Sequence, residues 1–229
     1  MIDLSGNIKL SFGAKYVAED TASYILYEFD RSVLDGRAVP FERFCAFLGL
    51  DVRCEYLCGD AVQAQGLVAF EPQRLVTASG NLDLPKASAV VERDLIDCGE
   101  WKLYNFVLAV MGAQYLFYSV KKGTPSRQLT FDLSSVQSMR NHIIRMEEVC
   151  EEIERDAGGV CAFALKLALP KNGFKRQAME LYAMLDVNRA TLDEKRHLPF
   201  VLETLSEKYA VPEFAVLARM QQLNLLENV

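Results

Sequence analysis

From Ala14 to Leu34, Val17, Thr21, Ile25, Phe29 and Val33 recur every four positions, which predicts an amphipathic helix ended by Asp35-Gly36. Pro40 opens a short helix, and Gly49 sits just past its end as a C-terminal cap. Asp51 to Leu57 alternates through Val52, Cys54 and Tyr56 and predicts a strand. Gly66 to Thr77 holds two apolar runs around Glu71-Pro72-Gln73 and predicts a hairpin, with a further strand from Ala89 to Ile96. A long uncharged helix begins at Leu103, and Lys121 to Leu129, with Gly123 and Pro125, reads as a loop.

The second half is helical in pattern. Val136 to Arg155 predicts a charge-rich helix, and Ala157-Gly158-Gly159 interrupts it. An apolar helix follows from Val160 to Leu169, stopped by Pro170, and another covers Met179 to Leu185. Thr191-Leu192-Asp193-Glu194 has capping-box spacing, and two short helices, Leu198 to Tyr209 and Glu213 to Leu223, flank Ala210-Val211-Pro212. Helices, a small sheet, then helices make the class α+β.

Length and composition narrow the function classes. At 229 residues with 51% hydrophobic and 24% charged residues, the chain can bury a core without disulfides or metals. Acidic residues outnumber basic ones, 31 to 25, so nucleic acid is not expected as the main partner. The start, Met1-Ile2-Asp3-Leu4-Ser5-Gly6, lacks a basic segment followed by an apolar one, so a cytoplasmic chain with reduced thiols is expected. Cys54 and Cys58 could ligate a metal, but the second pair such a site needs is missing. Leu103 to Val120 runs eighteen residues without a charge, the length of a membrane span. Asn105, Gly112, Gln114, Ser119 and three tyrosines inside it favour a buried core helix, so no membrane is expected.

That helix carries the chemistry that the chain nearly has. An H-E-x-x-H helix sets two histidines on one face to hold zinc, with the glutamate as general base. The only histidines here, His142 and His197, lie outside any such motif and are expected to be solvent-facing. Yet Asn105-Phe106-Val107-Leu108-Ala109-Val110-Met111-Gly112-Ala113-Gln114-Tyr115-Leu116-Phe117-Tyr118 resembles the zinc helix of ImmA/IrrE-type metallopeptidases. Other segments resemble the family in order: Val39-Pro40-Phe41-Glu42 with Phe47 to Val52, then Gly66 and its strand. Ala162-Phe163-Ala164 with Leu167 to Pro170, and Leu205 to Pro212 with Arg219, complete the series.

The resemblance implies a zincin-like minimal peptidase scaffold over 1–190 and a helix-turn-helix-like segment over 191–229. Val110 and Gln114 then stand where the family has zinc histidines, and Met111 where it has the general base. The acidic third ligand maps near Gly159, with Glu154 and Asp156 a turn away. Val and Met cannot supply a ligand nitrogen or a base, so neither zinc nor another cofactor is expected, nor peptidase activity. By resemblance, a degenerate member would bind a helix-turn-helix regulator, of the kind tied to mobile elements, without cutting it.

A second reading is a small-molecule or peptide sensor whose pocket is lined by Met111, Gln114, Tyr104, Tyr118 and Asp156. Gln114 itself is a ligand-binding amide in that reading, and otherwise a core amide bonded to backbone. Glu147 to Glu152 reads as a solvated acidic face. The last helix has one basic residue, Arg219, and reads as a packing element rather than a DNA reader. Neither a G-x-S-x-G elbow nor a phosphate-binding glycine loop occurs.

Overall fold

The computed structural model describes residues 15–57, 64–123, 141–155 and 159–227. The first helix, α1 (Lys15–Phe29), stops earlier than its periodicity suggests. Asp30 accepts the Ser32 N–H and starts a separate 3-10 turn, Arg31–Asp35, which Gly36 closes in the left-handed region at φ 85°. The short α2 (Phe41–Phe47) follows Pro40, and Gly49 (φ 79°) turns the chain directly into strand β1 (Asp51–Glu55).

Four more strands follow: β2 (Gly66–Ala69), β3 (Gln73–Thr77), β4 (Gly80–Leu84) and β5 (Ser88–Glu92). The expected hairpin from Gly66 to Thr77 does not form. Its two runs enter different sheets, and β3 pairs instead with β4 across a tight turn at Gly80. The main sheet has the order β1-β5-β2-β6, with β6 at Asn141–Ile144. Its β1–β5 pair is parallel, while β5–β2 and β2–β6 are antiparallel. Thus the helix expected over Val136 to Arg155 is corrected: 141–144 form an edge strand that places His142 opposite Val68, and α5 starts only at Met146 (Met146–Arg155).

The sheet separates two apolar layers, as the period-two alternation of strand side chains requires. Val68, Phe70, Ala89 and Val91 face the helices, while Leu67, Ala69 and Val90 face the β3–β4 ribbon. After the short α3 (Asp94–Asp97), helix α4 (Trp101–Gly123) crosses the helical side of the sheet. It is covered by α2, by α6 (Val160–Ala168) and by the terminal helix α9 (Glu213–Gln222). Rings mark these seams. Gly112 lets Phe44 of α2 approach closely, Phe117 meets Phe163 of α6 edge-on at 5.5 Å, and Phe106 meets Phe214 of α9 at 5.4 Å. Among the described residues no helix is long and apolar enough to cross a membrane.

Helices α7 (Lys171–Met184) and α8 (Leu198–Tyr209) complete the chain. Thr191 does not cap a helix; its hydroxyl accepts the Asn188 N–H inside a turn, and α8 begins at Leu198. Gly173 of α7 is required by packing, since a Cβ there would stand 2.6 Å from the Gly36 nitrogen. Ala210 (φ 52°) and Pro212 turn α8 into α9.

One ion pair joins the two ends of the described chain. Arg219 of α9 is fully buried and grips the Glu19 carboxylate of α1 with both terminal nitrogens, at 2.6 and 2.8 Å. Its Nε donates to the Leu169 carbonyl at 2.9 Å, at the end of α6. Burial raises the Glu19 pKa, but the hydrogen bonds and charge of Arg219 and the charge of Lys166 outweigh it, so the net shift is downward. Glu19 therefore contributes stability above its ordinary value near 4.5 and loses it as pH falls through the lowered folded value. Removing one partner of such a pair strands a buried charge, so Arg219→Ala is expected to cost about 3–5 kcal/mol in urea unfolding. Glu19→Gln is expected to flatten the acid limb of the stability curve below pH 4.5, and an unchanged limb would show that this pair does not govern it.

Candidate functional site

The resemblance singles out the middle of α4, and helical geometry sorts its side chains into stripes. Val107 and Met111, one turn apart, face the sheet: a Cβ added at Gly66 of β2 would overlap Met111 Cε and sit 3.3 Å from Val107 Cγ1. Val110, Gln114 and Phe117 form the neighbouring i, i+4, i+7 stripe, directed at α6 through the Phe117–Phe163 contact. Val110 and Met111 have no solvent exposure. The positions matching one ligand and the base are therefore core positions, filled by a branched aliphatic and a thioether that suits an irregular gap.

Gln114 is 7% exposed, and its Oε1 has no hydrogen-bond partner among the described residues. It is a buried amide, and the backbone bond that the core reading expects is not made by that oxygen. An unpaired buried amide oxygen costs about 1–3 kcal/mol, so Gln114 is an unsatisfied point among the described residues of this helix.

The residues grouped as a cleft lining are not all brought together. Tyr104 precedes Gln114 by ten residues, about 15 Å along the helix axis. Its hydroxyl donates to Glu42 Oε1 at 2.7 Å and lies 3.8 Å from Cys54 Sγ, joining α2, α4 and β1. Burial, then hydrogen bonding to Glu42, pushes the Tyr104 pKa well up, so it acts here as a neutral donor. Tyr118 belongs to α4, but its side chain lies outside the described residues, as do Asp156 and Cys58.

Gly159 is the N-cap of α6, in extended conformation and with no side-chain cap of its own. The carboxylate serving that helix start is Glu152 of α5. It accepts the Cys161 N–H at 2.9 Å and the Cys161 thiol at 3.1 Å. A carboxylate there satisfies free amide hydrogens and complements the positive helix end. Burial and the Glu152 charge push the Cys161 pKa up, so the thiol stays protonated and donates. Glu152 is thus half-buried and structural, which corrects the reading of 147–152 as uniformly solvated; Glu147, Glu148 and Glu151 remain exposed. Glu154 is exposed on α5.

Among the described residues no three His, Cys, Asp or Glu side chains converge as metal ligands would. His197 is half-buried rather than fully exposed, and its Nδ1 accepts the Asp193 N–H at 3.2 Å. Burial pushes the Cys45 thiol up to about 12, and it donates to the Leu108 carbonyl of α4. A cleft of about 320 Å³ lies between β6, α5 and the start of α6, lined by Ile144, Arg145, Glu152, Arg155 and Cys161 among others. A second, of about 630 Å³, lies at the base of the β3–β4 ribbon between Pro72, Arg74 and Asp83. Neither is lined by Val110, Met111 or Gln114.

The packing of Met111 against Gly66 gives a double-mutant cycle. Gly66→Ala is expected to destabilise by about 1–3 kcal/mol through overpacking. Met111→Ala should relieve part of that cost, leaving the 2.9 Å approach of the new Cβ to the Val90 carbonyl. Additive single effects in urea unfolding would show that the two positions do not touch.

Compared with protein-family models, with curated proteins and with solved structures, the chain finds no match.

Proposed function

We propose that this chain is a non-catalytic, regulatory protein-binding module on an ImmA/IrrE-like, zincin-like scaffold. The observation that carries the reading is the closed packing of Val110 and Met111, each without solvent exposure, where the resemblance places a ligand and the general base. A metal peptidase keeps these positions polar and open to substrate. Here they pack against β2 and α6, so the helix contributes core stability in place of chemistry. The partner that fits the resemblance is a helix-turn-helix regulator, bound on the faces around the old site and left intact.

The terminal segment supports a protein partner over a nucleic acid. The one basic residue of α9, Arg219, is fully buried against Glu19 and presents no charge to a phosphate. The sensor reading has one observation in its favour, the unpaired Oε1 of Gln114. The two clefts described above lie elsewhere, and Tyr104 is committed to Glu42, so the binding-module reading is preferred.

The test mixes purified protein with purified helix-turn-helix regulators, with and without added zinc, and follows both association and cleavage. The expected result is a complex with a full-length regulator and no cleavage at any zinc concentration. Zinc-dependent cleavage that a chelator abolishes would sink the proposal.

A further inference from the structure

We infer that strand β1 is a self-pairing edge, through which two copies of this chain join their sheets antiparallel about a two-fold axis. The inference is independent of the functional reading above and rests on hydrogen-bond phase, charge order and neighbouring aromatic residues.

The ladder to β5 fixes which backbone groups of β1 remain outward. Asp51 N–H donates to the Ala87 carbonyl at one end, and the Glu55 carbonyl accepts the Arg93 N–H at the other. In a parallel pair with Asp51, Arg53 and Glu55 turned to β5, Val52 and Cys54 direct their N–H and C=O groups away from the sheet. Among the described residues these outward groups have no hydrogen-bond partner. Three antiparallel registers place them in hydrogen-bonded positions, centred on Val52, Arg53 and Cys54, but the last needs the Tyr56 carbonyl, which already accepts the Ala78 N–H at the end of β3.

Charge order selects the register centred on Val52, because centring on Arg53 sets Arg53 against Arg53 and Asp51 against Glu55 of the second copy. One face of β1 reads acid, base, acid at Asp51, Arg53 and Glu55, with Asp51 exposed and the other two half-buried. Centring on Val52 sets Arg53 directly opposite Asp51 of the second copy. Opposite charges in directly facing positions stabilise a strand pair. Within one copy Arg53 already pairs with Asp51 at 2.9 Å, and both side chains remain solvent-accessible, so the row is positioned but not enclosed.

The surroundings are apolar for a solvated edge. Trp101, the only tryptophan, is 53% exposed and stacks edge-on against Tyr104 at 6.0 Å. The Tyr104 hydroxyl lies 3.8 Å from Cys54 Sγ, which places this aromatic pair on the helical side of the strand, opposite the charged row. Tyr56, the residue after β1, shares that side and is 40% exposed. Exposed aromatic residues near a strand edge match the composition of a protein interface.

The experiment is sedimentation velocity of the full chain over concentrations reaching about 0.5 mM, where even a weak millimolar-range dimer becomes visible. The wild type is expected to dimerise reversibly. Arg53→Glu, which sets like charges opposite at Asp51 of the second copy, and Val52→Pro, which removes an outward donor without touching β5, should each weaken association at least about tenfold. The exchange Asp51→Arg with Arg53→Asp restores complementarity in the register centred on Val52. Recovery of the dimer in it shows that loss in Arg53→Glu was not misfolding. A wild type that stays monomeric throughout overturns the proposal. So does a dimer indifferent to Arg53→Glu and Val52→Pro, or a monomer that instead takes up an extended peptide along β1.

Discussion

The burial of α4 on all sides is the constraint to which the rest of the molecule answers. A helix with the sheet on one side and α2, α6 and α9 around the others has almost no face on which a charge could be solvated. Its uncharged run from Leu103 to Val120 follows from that position. So does the small Gly112 where Phe44 closes in. A carboxylate or an unliganded imidazole pair at its centre would have to be neutralised by metal or lost, because an uncompensated buried charge costs several kcal/mol. Val110 and Met111 avoid that cost and add dispersion contacts, at about 1.5–3 kcal/mol for each fully buried side chain. Gln114 is the one position on this stripe where a polar side chain persists and is left partly unsatisfied.

Around this helix the chain uses polar groups sparingly, each for a defined join. Arg219 ties α9 to α1 and to the end of α6, holding first and last elements against the same core. Glu152 closes the start of α6, and the Glu42–Tyr104 bond closes the seam between α2 and α4. The same joins remove candidates for chemistry. The basic residue of the last helix is internal, the Cys161 thiol is held protonated, and Tyr104 is occupied about two turns away from Val110 and Met111.

The helical part of the fold is legible in the sequence where apolar runs end in glycine or proline. Long α4, α6 stopped at Pro170, and the α8–α9 pair around Ala210-Val211-Pro212 all lie close to their expected places. The strands are less legible because pairing is a non-local choice. β2 and β3 are adjacent in sequence, yet β2 is claimed by β5 and β6, and β3 by a polar strand, Gly80–Leu84, with little apolar signal of its own. β6 carries only two apolar residues next to a glutamate-rich helix, so its helical neighbour masks it. At the candidate site, Val110, Met111 and Gln114 are singled out by the resemblance and not by their spacing. Glu152 is not, since a carboxylate that looks solvated on its own helix becomes a cap only when α6 begins beside it.

The account turns on whether α4 has exchanged metal ligation for packing. The most direct measurement is the metal content of protein purified without a histidine tag or added metal, by inductively coupled plasma mass spectrometry. The packed core predicts less than about a tenth of an equivalent of zinc, because a zinc site needs three or four protein ligands. Near-stoichiometric zinc would contradict it and would reopen this scaffold as an enzyme.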